Sequence, residues 1–449
     1  QQKGGTEDLA VQLAIMNVYT YEASEWIHSA GKEALLSFAE GDELKMMLMG
    51  MKRFCKTEDI NPKEARQLIA ADLIEKNGYT LGSPIGEIFV EINPTGQHNP
   101  RCAGRYFCTM AKETILNKAS ENFLEAYLNN ASPTGFESSG QQLWLDYIRP
   151  YIDDHIIDTY GTVVGVVNPD APYKVVIEAH ADEISYFVHY ITADGYIYLR
   201  RNGGSDHQIA PSKRVDIHTP KGIVKGVFGW PAIHTRKAGK EEAPTMKNIF
   251  LDVGAKDKKE VEKMGIHVGC VVTYEDTFMV LNKNWYVARA LDNRAGGFMI
   301  AEVARILHEQ GTELPFGLYI TNSVQEEIGL RGAQMIAERI SPDVAIVTDV
   351  THCTQTPMMN KIENGDVAAG KGPGITYGPA VQNNLLQRII DSANAEKIPL
   401  QRMAASRFTG TDTDAFAYSN KGVASALISL PLRYMHTTVE MVHRDDVEN

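Results

Sequence analysis

Thr321-Asn-Ser-Val-Gln-Glu-Glu-Ile-Gly-Leu-Arg-Gly-Ala333 places two adjacent carboxylates, Glu326 and Glu327, between an apolar run and a helical pattern. The run over 316–324 reads as a buried strand, and the pattern over 330–340 reads as a helix that begins just after Gly329. Adjacent acids at the end of a buried strand are costly unless a cation neutralises them. In an open α/β sheet that carboxyl edge is also where ligands bind. One Glu therefore reads as a metal ligand and the other as a proton carrier. The plain alternative is a charge pair that serves the dipole of the following helix.

The other buried runs end in similar residues. The run 174–177 leads into Glu178-Ala-His-Ala-Asp182, 344–347 leads to Asp349, and 424–430 leads to His436. Asp292 opens a helix over 293–310. Imidazole together with carboxylate suits Zn²⁺ or Co²⁺, whereas all-oxygen sets suit Mg²⁺ or Ca²⁺. Each residue has a plainer use: a satisfied core histidine for His180, a surface loop for His436, an N-cap for Asp292, an Asx-turn for Asp349. It is the joint pattern that points to chemistry. His352 and Cys353 are also ligand types, but packing suits them better. Residues two apart on a strand point the same way, so Asp182 is placed to accept the second ring N–H of His180.

At 449 residues the chain has room for two or three domains, and its 43% hydrophobic and 22% charged content is that of a globular protein. A net charge of −13 argues against nucleic acid or an anionic membrane as the main partner. The scattered cysteines, Cys55, Cys102, Cys108, Cys270 and Cys353, show no paired spacing and point to a reducing, cytoplasmic compartment. There is no signal peptide and no apolar run of spanning length. Helical periodicity covers residues 1–80, in segments 7–40, 43–54 and 61–78, and a turn-rich linker covers 81–110. An α/β stretch, 111–184, precedes a region of short alternating runs with frequent turns, 185–285, which reads as an inserted β-barrel. Strand–helix alternation resumes over 286–449. Both ends of the chain read as cut.

The ordered set Ser132-Pro-Thr-Gly-Phe-Glu137, Ala179-His-Ala-Asp-Glu-Ile184, Ala290-Leu-Asp-Asn-Arg294, Glu326-Glu-Ile-Gly-Leu-Arg-Gly-Ala333, Asp349-Val-Thr351, Gly370-Lys-Gly-Pro373 and Arg433-Tyr-Met-His436 resembles the M42 metallo-aminopeptidases, the tetrahedral aminopeptidase group. The resemblance covers about residues 111–449. It implies an α/β/α sandwich on a mixed sheet, with an inserted small β-barrel that aids assembly and a C-terminal helix beyond residue 449. It also implies two divalent ions per subunit, Zn²⁺ or Co²⁺. His180 and Asp349 would bind separate metals, Asp292 would bridge them, and Glu327 and His436 would complete the set. Glu326 would be the general base and Asp182 the residue that orients His180. The substrates would be peptides with a free N-terminus, and the assembly a homo-oligomer, up to a dodecamer. Residues 1–80 resemble the C-terminal helical tail of acyl-CoA dehydrogenases and carry none of the candidate ligands, which makes 1–110 dispensable for the chemistry. Competing activities are a metal-dependent deacylase or amidohydrolase on N-blocked substrates, an endoglucanase-type glycosidase, and a non-enzymatic docking module. Adjacent Glu326 and Glu327 fit poorly the carboxylate separation of about 5–9.5 Å that a glycosidase needs.

Overall fold

A computed structural model describes residues 115–449, apart from Ala238 and Lys240. The expected helices over 7–40, 43–54 and 61–78, the linker 81–110, and Cys55, Cys102 and Cys108 lie outside the described residues.

Apolar, β-branched runs supply the strands. The first three are β1 (Asp154–Ile157), β2 (Val163–Val167) and β3 (Lys174–His180). β4 (Ser185–Ile191), β5 (Ile197–Asn202), β6 (Arg214–Thr219), β7 (Gly222–Gly229), β8 (Phe250–Asp252) and β9 (Val271–Tyr274) close into a six-stranded barrel in the order β4-β5-β8-β7-β6-β9. Alternate residues fill it: Tyr186 and Val188, Ile197 and Leu199, Val215 and Ile217 all lie in one buried cluster. After the barrel come β10 (Met279–Leu281), β11 (Trp285–Ala288), β12 (Gly317–Ser323), β13 (Val344–His352), β14 (Gly374–Tyr377), β15 (Gln401–Ala404), β16 (Ala424–Arg433) and β17 (Glu440–His443). The sequence reading puts β10 in the insert. In the structure it instead pairs antiparallel with β11, because the chain reverses through Asn282 and Lys283, both at positive φ.

The large sheet has 11 strands, and the path through nine of them runs β1-β2-β12-β3-β13-β16-β17-β11-β10. Its centre, β12-β3-β13-β16, is parallel throughout, so four carboxyl ends lie along one edge. Alternation along these strands separates two apolar faces. Leu318, Ile320 and Ala179 pack with Leu124, Trp144 and Phe298 from the helices Lys118–Asn129, Ser138–Ile148 and Leu291–Glu309. Tyr319, Val176, Ala345 and Val347 pack on the other side with Ile336 and Phe416, from the helices Arg331–Ile340 and Asp412–Ala417. The result is a mixed α/β fold with helices on both faces of a mostly parallel centre.

β13 runs further than its apolar run suggests. β13 continues to His352 because β16 pairs with it as far as Leu432, so Asp349 lies inside a strand rather than after one. Gly332 fixes how the helix Arg331–Ile340 leaves β12: a Cβ there would lie 2.2 Å from the carbonyl oxygen of Val324 and 2.6 Å from its nitrogen. Gly332→Ala should therefore cost about 1–3 kcal/mol, the usual penalty for forced overpacking. A lowered urea midpoint for the variant checks this.

Candidate active site

The carboxyl edge of the parallel strands gathers the predicted residues. In β3, Val176, Glu178 and His180 share one face, and in the neighbouring β13 so do Ala345, Val347 and Asp349. Val347 is opposite Glu178 in the parallel register, so two residues further on His180 and Asp349 come side by side. This changes the partition that the resemblance implied. His180 and Asp349 fall in one group with Asp292, and Asp292 also belongs to a second group with Glu327 and His436. Within each group the potential ligand atoms lie within 4.8 Å of one another.

Asp292 joins the two groups. Its Oδ1 is 3.1 Å from His180 Nε2 and its Oδ2 is 3.2 Å from His436 Nε2. It is not the cap of its helix: Asn293 Oδ1 accepts the Gly296 N–H at 3.2 Å, and Ala290, at φ 61°, precedes the bend. Asp292 and Asn293 depart from helical dihedrals, and the peptide bond between them is cis. His180 Nε2 is also 3.9 Å from both Glu326 Oε2 and Asp349 Oδ1, and His436 Nε2 is 3.4 Å from Glu327 Oε1. Glu326 and Glu327 lie on a single 3₁₀ turn, Glu326–Ile328, between Gln325 and Gly329, both at positive φ. The turn aims the two side chains at different histidines. His352 is exposed and Cys353 is buried near Gln355, and neither joins a ligand group among the described residues.

Asp182 is fully buried and comes from the turn after β3, not from the same pleat as His180. Its Oδ1 is 3.3 Å from His180 Nδ1, close enough for charge pairing but not aligned as a hydrogen bond. Its aligned bonds go elsewhere: it accepts the backbone N–H groups of Glu326 at 3.0 Å and Glu327 at 3.2 Å, and the Thr134 hydroxyl at 2.8 Å. One carboxylate thus ties the Glu turn, the His180 turn and the Ser132–Thr134 segment together.

The protein's own groups leave the site strongly unbalanced. Burial would raise the Asp292 pKa, but hydrogen bonds from His180 and His436 hold it well below the usual carboxylate range. Burial lifts Asp349 and Glu327 above that range, and it pushes Glu326 to about 10 despite the pull of His180. Burial would lower His436, but Asp292 and Glu327 lift it to about 11; Asp182 and Asp292 likewise lift His180 against its burial. Excess acid held around two imidazoles fits divalent cations, and the mixed nitrogen and oxygen donors match Zn²⁺ or Co²⁺.

Sequence reasoning missed several supporting residues. The Ser323 hydroxyl lies within hydrogen-bond reach of both Glu178 and Asp412, a fully buried carboxyl pair near His180; burial, then the charge of Asp412, raises Glu178. Glu183 pairs with Arg289 and accepts the Ser132 N–H at 2.7 Å. Glu440 accepts the N–H groups of Asp292 and His436. These acids sit inside or beyond motifs, at spacings that mean something only once the strand order is known.

Residues 161–449 match the M42 glutamyl aminopeptidase family. This chain belongs to that family. The lysyl aminopeptidase of Pyrococcus furiosus is 33% identical over 329 residues, 73% of this chain and 93% of the relative. A TET aminopeptidase crystal structure from the marine sediment archaeon Thaumarchaeota archaeon SCGC AB-539-E09 superposes with TM-score 0.70 at 29% identity, over 74% of this chain and 93% of that one. The TET1 peptidase of Pyrococcus horikoshii gives TM-score 0.65 at 25% identity, over 73% of this chain and 96% of that one. Residues 1–53 match the acyl-CoA dehydrogenase C-terminal domain. As a member of the M42 family the chain is an aminopeptidase. Asp182→Asn replaces one acceptor oxygen with an amide donor that faces a backbone N–H. Metal affinity or turnover should fall about 10–100-fold, as when other supporting partners of ligands are lost. Calorimetric metal titration and peptide turnover check this.

Proposed function

We propose that this aminopeptidase works with two divalent cations and uses Glu326 as its general base. The observation that carries the reading is the double role of Asp292, whose two oxygens face His180 and His436 separately. His180 and Asp349 would hold one cation, Glu327 and His436 the other, and Asp292 would lie between. Bound there, Zn²⁺ or Co²⁺ would supply Lewis acidity toward water and the scissile carbonyl.

Glu326 belongs to neither ligand group, yet its carboxylate reaches the same edge with 12% of the side chain exposed. It takes the proton of the attacking water and returns it to the leaving amine, a role that general acid–base catalysis gives to a carboxylate within reach of the reacting atoms. Asp182 fixes the direction of that carboxylate through the Glu326 N–H. The acid-rich edge favours a substrate whose end is cationic, such as a peptide with a free N-terminus. The surrounding strands and helices keep the groups rigid, which limits the reorganisation that catalysis would otherwise cost.

The barrel is assigned to assembly. Ile223, Val227 and Val268 are exposed apolar residues on or beside its strands. The Pyrococcus horikoshii peptidase can assemble into a tetrahedron or a large octahedral shell. The same use here gives a homo-oligomer, with a dodecamer as the expected closed form. Sedimentation should show a species many times the 49.7 kDa chain mass; a fully active monomer would reject this assignment.

The adjacent acids separate the chemical roles. Glu326→Gln should keep both metals and lose about 10²–10⁴-fold in kcat, the usual contribution of general acid–base catalysis. Glu327→Gln should instead lose metal, because a neutral amide is a poor ligand. Elemental analysis beside turnover distinguishes the two, and equal metal content in both variants would reject the division of labour.

A further inference from the structure

Glu440 is the first residue of β17 and is 1% exposed. Its two oxygens accept from two separate places in the chain: Oε2 from the Asp292 N–H at 3.1 Å and Oε1 from the His436 N–H at 2.8 Å. Those residues are 144 positions apart and belong to the same candidate ligand group, with Glu327. Only a carboxylate offers an acceptor to both N–H groups. Gln has one acceptor, and its NH₂ would face a donor.

His436 needs such a hold. It has φ 60°, a left-handed conformation that residues with a Cβ seldom adopt. Its ring is confined from the barrel side, where a Cβ on Gly204 would lie 2.5 Å from Nδ1 and 2.7 Å from Cε1. The ring is thus placed by Gly204 and the backbone by Glu440. β17 continues the large sheet between β16 and β11, so Glu440 is itself on a rigid element.

We infer that Glu440 is a positioning residue that sets the geometry and affinity of the Asp292–Glu327–His436 cation position. The inference rests on the two-cation reading above. Glu440 touches His436 and Asp292 but neither His180 nor Asp349 by hydrogen bond. Asp292 serves both positions but His436 serves only one, so loss of Glu440 weakens the Asp292–Glu327–His436 position more than the other.

The test is a Co²⁺ titration of the metal-free full-length protein, followed by calorimetry and visible absorption, for wild type and Glu440→Gln. The expected result is two equivalents in wild type. In the variant one step should be retained and the other weakened about 10–100-fold, the range for a lost partner of a ligand. The metal-free variant should melt somewhat lower, because one backbone N–H loses its acceptor, and the Co²⁺-induced rise in Tm should shrink as well. Two unchanged steps would overturn the inference. So would equal weakening of both steps, which marks a general structural role. Fewer than two equivalents in wild type would reject the two-cation reading itself. Should Glu440→Gln fail to fold, Glu440→Asp keeps the charge on a shorter arm. It keeps both acceptor oxygens but shortens their reach, so it should show the same selective weakening, and equal effects on both steps would again overturn the inference.

Discussion

The site depends on negative charge that the protein's own groups leave unbalanced. Asp292, Asp349, Glu326 and Glu327 converge at the carboxyl edge of the parallel strands, with His180 and His436 as the nearby imidazoles. Buried carboxylates without a cation are expensive. Their burial follows from the sheet, because β3, β12, β13 and β16 must be parallel neighbours to bury their apolar faces beneath helices on both sides. The fold thus concentrates acid at one place, and the proposed pair of divalent cations would resolve the imbalance.

A second group of carboxylates keeps the first in position. Asp182 accepts two backbone N–H groups of the Glu turn, and Glu440 accepts those of Asp292 and His436. Each ties loop backbone with two hydrogen bonds from one side chain. The candidate ligands outside the strands then sit at or beside left-handed residues, yet in fixed places: Gln325 before the Glu turn, Ala290 before Asp292, and His436 itself. Strain at these points is offset by the bonds that the acids accept.

Much of this was legible in the sequence. The strand leading to Glu326 and Glu327, the alternating runs of the barrel, and the residues His180, Asp292, Asp349 and His436 all stand out as residue types after apolar runs. What the sequence could not show was adjacency. The pairing of His180 with Asp349 follows from β3 lying beside β13 in a given register, and no local pattern encodes that neighbour. The extension of β13 through Asp349 has the same cause, since β16 supplies the partner. Asp182 stands out through its spacing from His180, yet two of its hydrogen bonds go to residues 144 and 145 positions away. Glu440 lies outside the quoted motifs, so no local pattern marks it.

The central claim is that two cations share Asp292. The most direct measurement is an anomalous difference map from crystals of the full-length protein grown with Co²⁺, collected at the cobalt absorption edge. The account predicts two peaks on opposite sides of the Asp292 carboxylate, one beside His180 and Asp349, the other beside Glu327 and His436. A single peak, or peaks that leave Asp292 uncoordinated, would contradict it.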